Sequence, residues 1–327
     1  LNQENPTMTS IPQRPLGKSG ISVAPLALGG NVFGWSVKDA ASTGKLLDAF
    51  VDGGFNLIDT ADAYPAWVPG NRGGESEELI GQWLKSSGKR NQVVIATKVA
   101  KWNERLGLSP GNIEAAVDDS LRRLGIDTID LYQAHEDDES VPLEATLGAF
   151  ARLIEKGKVR AIGASNYSAE RLHQALRCAE SQDLPRYETL QPQYNLYDRA
   201  GYEAELEPLV KAEGLGVISY YSLASGFLTG KYREAADAAK SSARGAQVVK
   251  QYLNPRGRAI LEALDGVASA HGATPAQVAL AWLIARVSIT APIASASSVE
   301  QLQDIMQAAR LTLTAEQIRA LDAASAP

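Results

Sequence analysis

Cysteine, methionine and histidine are scarce in this chain: one, two and three residues out of 327. The lone Cys178 excludes an internal disulfide and suits a reducing cytosol, so a cytoplasmic protein is expected. Its surroundings, HQALRCAE, read as a helix with no partner base, which makes it an inert thiol. No stretch approaches the roughly 18 uninterrupted apolar residues of a membrane span, and no cleavable signal pattern opens the chain. Like charges never run beyond a few residues. The net charge of −6 offers no electrostatic footprint for nucleic acid or an anionic membrane surface. No Gly-x-Gly-x-x-Gly follows a first strand, which removes the Rossmann mode of dinucleotide binding. No metal is expected.

What is present is ordinary for a globular protein with a sizeable core: 45% hydrophobic and 21% charged residues. Residues 1–10, LNQENPT and the Met8 that follows, carry no hydrophobic period and are read as a tail outside the fold. Residues 11–327 are read as a single domain. RPLGKSGISV suggests a hairpin around a Gly-Lys-Ser-Gly turn. Eight strand candidates follow, alternating with helix signals: PLALGG, FNLID, VVIATK, IDLYQAH, VRAIGAS, ETLQPQ, GVISYYS and SITAPIAS. Ser109-Pro110 and Thr274-Pro275 are each an N-cap followed by proline at the first helical position, and Thr314 with Gln317 makes a capping box. This pattern predicts a (β/α)8 barrel rather than a doubly wound sheet. The spacing breaks once, after the seventh strand, where Leu223 to about Gly257 predicts a long functional loop. Extra helices follow the eighth strand.

Four polar residues stand at the ends of these apolar runs or just beyond: Asp59 in FNLIDT, Tyr64 five residues on, Lys98 in VVIATK and His135 in IDLYQAH. The runs are spaced by about one strand plus one crossover helix, so parallel strands would bring all four to one rim. Singly, each has a bland reading: a helix cap, a surface aromatic, a strand-end lysine and a satisfied polar residue. Jointly, a phenol beside a lysine beside a carboxylate is a way to make a tyrosine give up a proton near neutral pH.

In these residues, and in GASN and SGFLTGKY, the chain from Arg14 to Leu321 resembles the aldo-keto reductases, whose catalytic tetrad is Asp, Tyr, Lys and His in this order. Within that family the chain is closer to the bacterial and potassium-channel β-subunit-like branch. The resemblance implies that Tyr64 is the general acid, that Lys98 lowers its pKa, that Asp59 pairs with Lys98, and that His135 hydrogen-bonds the carbonyl oxygen. His173 and His271 lie in helical patterns outside this set.

The resemblance also implies NADP(H) as cofactor, with NAD(H) a weaker alternative. Ser165, Asn166 and Gln191 would bond the carboxamide, and Tyr220 would stack on the nicotinamide. The adjoining Tyr221-Ser222 stands where Ser-Pro is more usual. Leu223, Ser225, Gly226 and Lys231 belong to the segment that would wrap the pyrophosphate, with Arg244 over the adenosine part. Ser297 and Gln301 would hold the 2′-phosphate, with Ser295 a further cofactor-binding residue, and Asp304 would contact adenine, although Ser298 with Gln301 reads equally as a capping box. Phe33, Trp35, Trp67 and Trp102 are expected to line the mouth and admit an aldehyde or ketone with a hydrophobic body. The implied protein works on a small molecule, as a monomer or homo-oligomer. Two rivals remain at this level: a redox-sensing regulatory subunit with slow turnover, and an aldolase using Lys98 as a Schiff base. Asp59 argues against the aldolase by keeping that lysine charged.

Overall fold

The computed structural model describes residues 11–241 and 244–327. The expectation for residues 1–10 lies outside them. All eight strand candidates form strands: β1 (Ala27–Gly29), β2 (Leu57–Asp59), β3 (Val94–Val99), β4 (Ile129–Ala134), β5 (Val159–Ser165), β6 (Thr189–Gln191), β7 (Gly216–Val217) and β8 (Ile293–Ala294). They pair in parallel in chain order, and β8 returns to pair with β1, Ile293 opposite Ala27. The seam between β7 and β8 is closed by hydrogen bonds from the Thr290 N–H to Val217 O and from the Ile293 N–H to Ser219 O. The sheet is therefore a barrel with parallel strands throughout. Every residue of β3 and β4 is buried, as strands covered on both faces must be.

Alternation sends every second side chain into the barrel. Leu57, Ala96, Leu131, Ala161 and Ile218 pack there as one apolar cluster, distinct from the larger core under the helices. The bottom is plugged by the expected hairpin, Arg14–Pro15 antiparallel to Ser22–Val23, which adds Leu16, Ile21 and Val23 to the same cluster. Gly17 in its turn sits at φ 61°, and a Cβ there would meet Glu188 O at 2.1 Å, so the plug docks only with glycine.

The outer layer follows the predicted signals. Helix α1 spans Ala40–Asp52, α2 Glu75–Ser87, α3 Pro110–Leu124, α4 Leu143–Glu155, α5 Ala169–Ser181 and α6 Glu207–Glu213. Ser109 caps α3 by accepting from the Asn112 N–H. After β7 come α7 (Gly245–Tyr252), α8 (Pro255–His271) and α9 (Pro275–Ile284), and after β8 come α10 (Val299–Met306) and α11 (Ala315–Ala324). Thr274 and Thr314 close complete capping boxes on α9 and α11. At α10 only half a box forms. Ser298 caps the Gln301 N–H, while the Gln301 side chain turns to Ser297.

The segment after β7 differs from a plain loop. It folds into 3-10 turns at Ala224–Thr229 and Ala235–Lys240 before α7, and Phe227, Leu228, Tyr232 and Tyr252 are buried beneath it. The apolar residues scattered through the stretch are its anchor. Among the described residues no helix is long and apolar enough to cross a membrane.

Candidate active site

The strand ends at the C-terminal mouth raise a polar ring one step above the apolar cluster. Asp59, Lys98, Gln133, Ser165 and Gln191 are all buried there, two residues beyond the inward-facing position beneath each. The Lys98 ammonium is fully buried and donates to Asp59 Oδ2 at 2.6 Å, to Thr60 O at 2.7 Å and to the Tyr64 hydroxyl at 3.5 Å. Asp59 Oδ1 accepts from Gln191 Nε2 at 2.9 Å and Gln133 Nε2 at 3.2 Å. The Tyr64 ring lies edge-on to His135, centroids 5.6 Å apart. All four sequence-predicted tetrad residues thus meet at one rim.

Burial works against the Lys98 charge, but Asp59 and Tyr64 outweigh it and hold the lysine above its ordinary value, as an ammonium. Burial pushes the Tyr64 phenol up. Lys98 pulls it back without reversing the shift, and Asp59 adds to the rise. This corrects the expectation of a net lowering: desolvation outweighs the neighbouring cation in the protein alone. Burial, then Lys98 and Lys101, drive His135 well below its usual range, so the ring is a neutral imidazole near neutral pH. Its Nδ1 is buried without a partner among the described residues.

Around this centre the remaining rim residues satisfy one another. Ser165 Oγ donates to Gln191 O at 2.9 Å and accepts from Asn166 Nδ2, which also donates to His135 O. The Tyr220 hydroxyl donates to Asn166 Oδ1 at 2.7 Å. Tyr220 packs over the barrel interior while Tyr221, at φ 52°, is half exposed. Ala224, Ser225 and Gly226 follow with positive φ and bend the chain after Leu223 sharply. Lys231 is exposed beyond the turn. Ser295 Oγ donates to Asn31 Oδ1, and both the N–H and hydroxyl of Ser297 donate to Gln301 Oε1.

A profile of the Aldo/keto reductase family matches residues 25–326. This chain belongs to that family. It is 35% identical over 316 residues to the uncharacterized oxidoreductase YrpG of Bacillus subtilis, covering 94% of each chain. It is also similar to a putative voltage-gated potassium channel subunit beta of Schizosaccharomyces pombe (33%, covering 96% of this chain and 93% of the relative) and to the protein tas of Escherichia coli (31%, 93% and 95%). The family is one of oxidoreductases on a (β/α)8 barrel.

Within this aldo-keto reductase, three placements depart from expectation. Phe33 is wholly buried in the outer core. Trp102 is engaged elsewhere: its Nε1 donates to Arg72 O at 2.7 Å, and the Arg123 guanidinium lies over its ring. Asp304 is engaged at the start of α9, accepting from Gln277 Nε2 at 2.7 Å and from Thr274 Oγ1, so its carboxylate braces two helices. Trp35 and Trp67 do reach the mouth, 5.9 Å apart, with Trp67 edge-on to Tyr64 at 5.5 Å. Arg244, expected over the adenosine part, lies with its guanidinium 4.6 Å from the Trp35 ring.

Two residues escaped the sequence reading. Gln133 bonds the Asp59 carboxylate, and its signal was alternation: two before His135, it shares the inward face of β4. Asp62 is fully buried behind Lys98, both carboxyl oxygens without a hydrogen bond among the described residues. Burial, then the Glu77 charge, push it up to about 8, against the pull of Arg123. No spacing rule marks such a residue.

Proposed function

We propose that this aldo-keto reductase interconverts aldehydes or ketones with alcohols using NADP(H), with Tyr64 as the proton donor in reduction. The observation that carries this reading is the fully buried Lys98 ammonium, held between the Asp59 carboxylate and the Tyr64 hydroxyl beside a neutral His135.

The residues at the mouth fit a dinucleotide. Gln191 Oε1 takes no donor among the described residues, which leaves it free for the carboxamide beside Ser165 and Asn166. The Tyr220 ring offers a face for the nicotinamide, the left-handed turn at Ala224–Gly226 with Lys231 suits a pyrophosphate, and Ser297 with Gln301 at the start of α10 suits a 2′-phosphate. When bound, the nicotinamide supplies the hydride.

Tyr64 releases its hydroxyl proton to the carbonyl oxygen, and Lys98 stabilises the phenolate that remains. His135, being neutral, donates one hydrogen bond to that oxygen and orients it without competing as an acid. Asp59 keeps Lys98 charged and aimed. Trp35 and Trp67 exclude water and favour a substrate with an apolar body. A cytoplasmic location and a small-molecule partner accompany this reading, supported by the lone cysteine and the acidic net charge.

The test is oxidation of NADPH and NADH across aromatic, aliphatic and sugar-derived carbonyls, with Tyr64→Phe alongside. The variant should lose roughly 10² to 10⁴ in turnover and keep its cofactor affinity. Activity within a few-fold of the unmodified protein would remove Tyr64 from this role. The relatives described as potassium channel subunits favour a second reading, a cofactor-binding regulatory subunit. Very slow turnover on every carbonyl, with tightly held cofactor and a stable protein partner, would select it.

A further inference from the structure

We infer that Gln133 is a positioning residue for proton transfer, acting through Asp59 on Lys98 and Tyr64; the inference rests on the role given above to Tyr64. Its side chain is fully buried and in register with Lys98 on the neighbouring strand. Gln133 Nε2 donates to Asp59 Oδ1 at 3.2 Å, and Gln133 Oε1 accepts at 3.1 Å from Gln191 Nε2, which also donates to Asp59 Oδ1 at 2.9 Å. Two amides from β4 and β6 therefore hold one carboxylate oxygen and leave Oδ2 to Lys98 at 2.6 Å. The next strand makes room for this arrangement. Gly163 stands opposite Gln133, and a Cβ there would lie 3.2 Å from Gln133 Cγ and 2.1 Å from Thr189 Oγ1.

The arrangement sets how much of the Asp59 charge falls on Lys98. Hydrogen bonds to a carboxylate draw its charge toward the donors. With both amides in place, Lys98 keeps part of its charge for Tyr64. Remove the Gln133 donor, and the carboxylate neutralises Lys98 more fully, so the phenol becomes harder to ionise. It is then a poorer acid, and the alkaline limit of reduction, where Tyr64 loses its proton, moves upward.

Gln133→Met keeps length and apolar bulk but neither hydrogen bond. Its kcat should fall about tenfold or more, the loss that goes with one hydrogen bond to a charged group. Its KM and its dissociation constant for NADPH should stay within about twofold, and the alkaline limb of its kcat profile should move to higher pH. Gln133→Glu supplies the rescue. When protonated, the introduced carboxyl can still accept from Gln191 and donate to Asp59; when ionised, it sets a second negative charge beside Asp59. Its activity should recover toward the unmodified level as pH falls and collapse as pH rises. Tyr64→Phe, assayed in parallel, separates two failures. If Tyr64→Phe loses turnover while Gln133→Met keeps normal kcat and an unmoved pH profile, the role of Gln133 is wrong and that of Tyr64 stands. If Gln133→Met loses kcat and cofactor affinity together, or Gln133→Glu shows no acid rescue, Gln133 only packs. If Tyr64→Phe retains turnover, both assignments fall.

Discussion

At the scale of single residues, the centre works by opposing effects of similar size. Lys98 is desolvated and yet charged because Asp59 lies 2.6 Å away; Tyr64 is raised because its own desolvation exceeds the pull of that same lysine. Removing either member of the ion pair would strand the other in a buried place, a loss of roughly 3 to 5 kcal/mol. Asp62 is buried with no ion pair among the described residues, and its behaviour with pH follows from that burial and from the neighbouring Glu77 charge. Its folded value of about 8 lies above the ordinary 3.8, so between those limits the folded chain keeps a proton that the unfolded chain has released. Stability from this group therefore falls as pH rises from about 4 toward about 8. Asp62→Asn mimics the protonated form without the titration. It should match the unmodified protein near pH ~4 and exceed it by a few kcal/mol near pH ~8, at about 1.4 kcal/mol for each tenfold change in proton affinity. Denaturant melts at the two pH values check this; equal stability differences at both would mean that the carboxyl is ionised throughout.

At the scale of elements, helix starts are well written in the chain because a cap acts within one turn. Ser109, Thr274 and Thr314 each accept from an N–H three residues on. The start of α10 keeps the cap at Ser298 but not the reciprocal bond that α9 and α11 have, in a way that bears on cofactor choice. Gln301 accepts from Ser297 rather than closing a box on Ser298, which leaves its amide N–H groups at the positive end of the helix. A helix terminus contributes at most about 1 to 2 kcal/mol, so roughly tenfold selectivity for NADPH is expected, with measurable activity on NADH. Ser297→Ala with Gln301→Ala should narrow that gap in kcat/KM. A ratio at or below one in the unmodified protein would rule out a phosphate pocket at this helix. The segment after β7 teaches the reverse lesson. Its glycines and serines read as a loop, yet Phe227 stacks on Tyr252 at 5.5 Å and ties the turn to α7.

At the scale of the whole molecule, the two ends of the barrel divide chemistry from stability. The closed end is held by Arg14, whose guanidinium donates to Ile289 O at 3.0 Å and to Ile284 O, on the last residue of α9, at 2.9 Å. Arg14→Ala leaves these carbonyls without their cation and loosens the hairpin from the barrel. A loss of roughly 1.5 to 3 kcal/mol is expected, read as a lower melting temperature. The kcat of the folded variant should be unchanged, because Arg14 bonds at the end of the barrel opposite the mouth. A fall in kcat without a fall in melting temperature would show that the ends are coupled.

The sequence by itself determined the eight strands and the meeting of Asp59, Tyr64, Lys98 and His135. For the strands and for Asp59, Lys98 and His135 this follows from period, since side chains at the same end of successive parallel strands have no other place to go; Tyr64, in the loop after β2, was legible only by its distance from Asp59 and by the resemblance. Alternation also put Gln133 within reach of reading, two residues before His135. Only the tertiary structure decided where side chains between regular elements point, because a loop imposes no period on them. Hence Trp35 and Trp67 face the mouth, while Phe33 is buried beneath it and Trp102 packs on the loop at Arg72. The same holds for Asp304, whose partners Thr274 and Gln277 lie on another helix, and for Asp62. A carboxyl's protonation depends on every charge and dipole packed around it, and that surrounding exists only once the chain has folded.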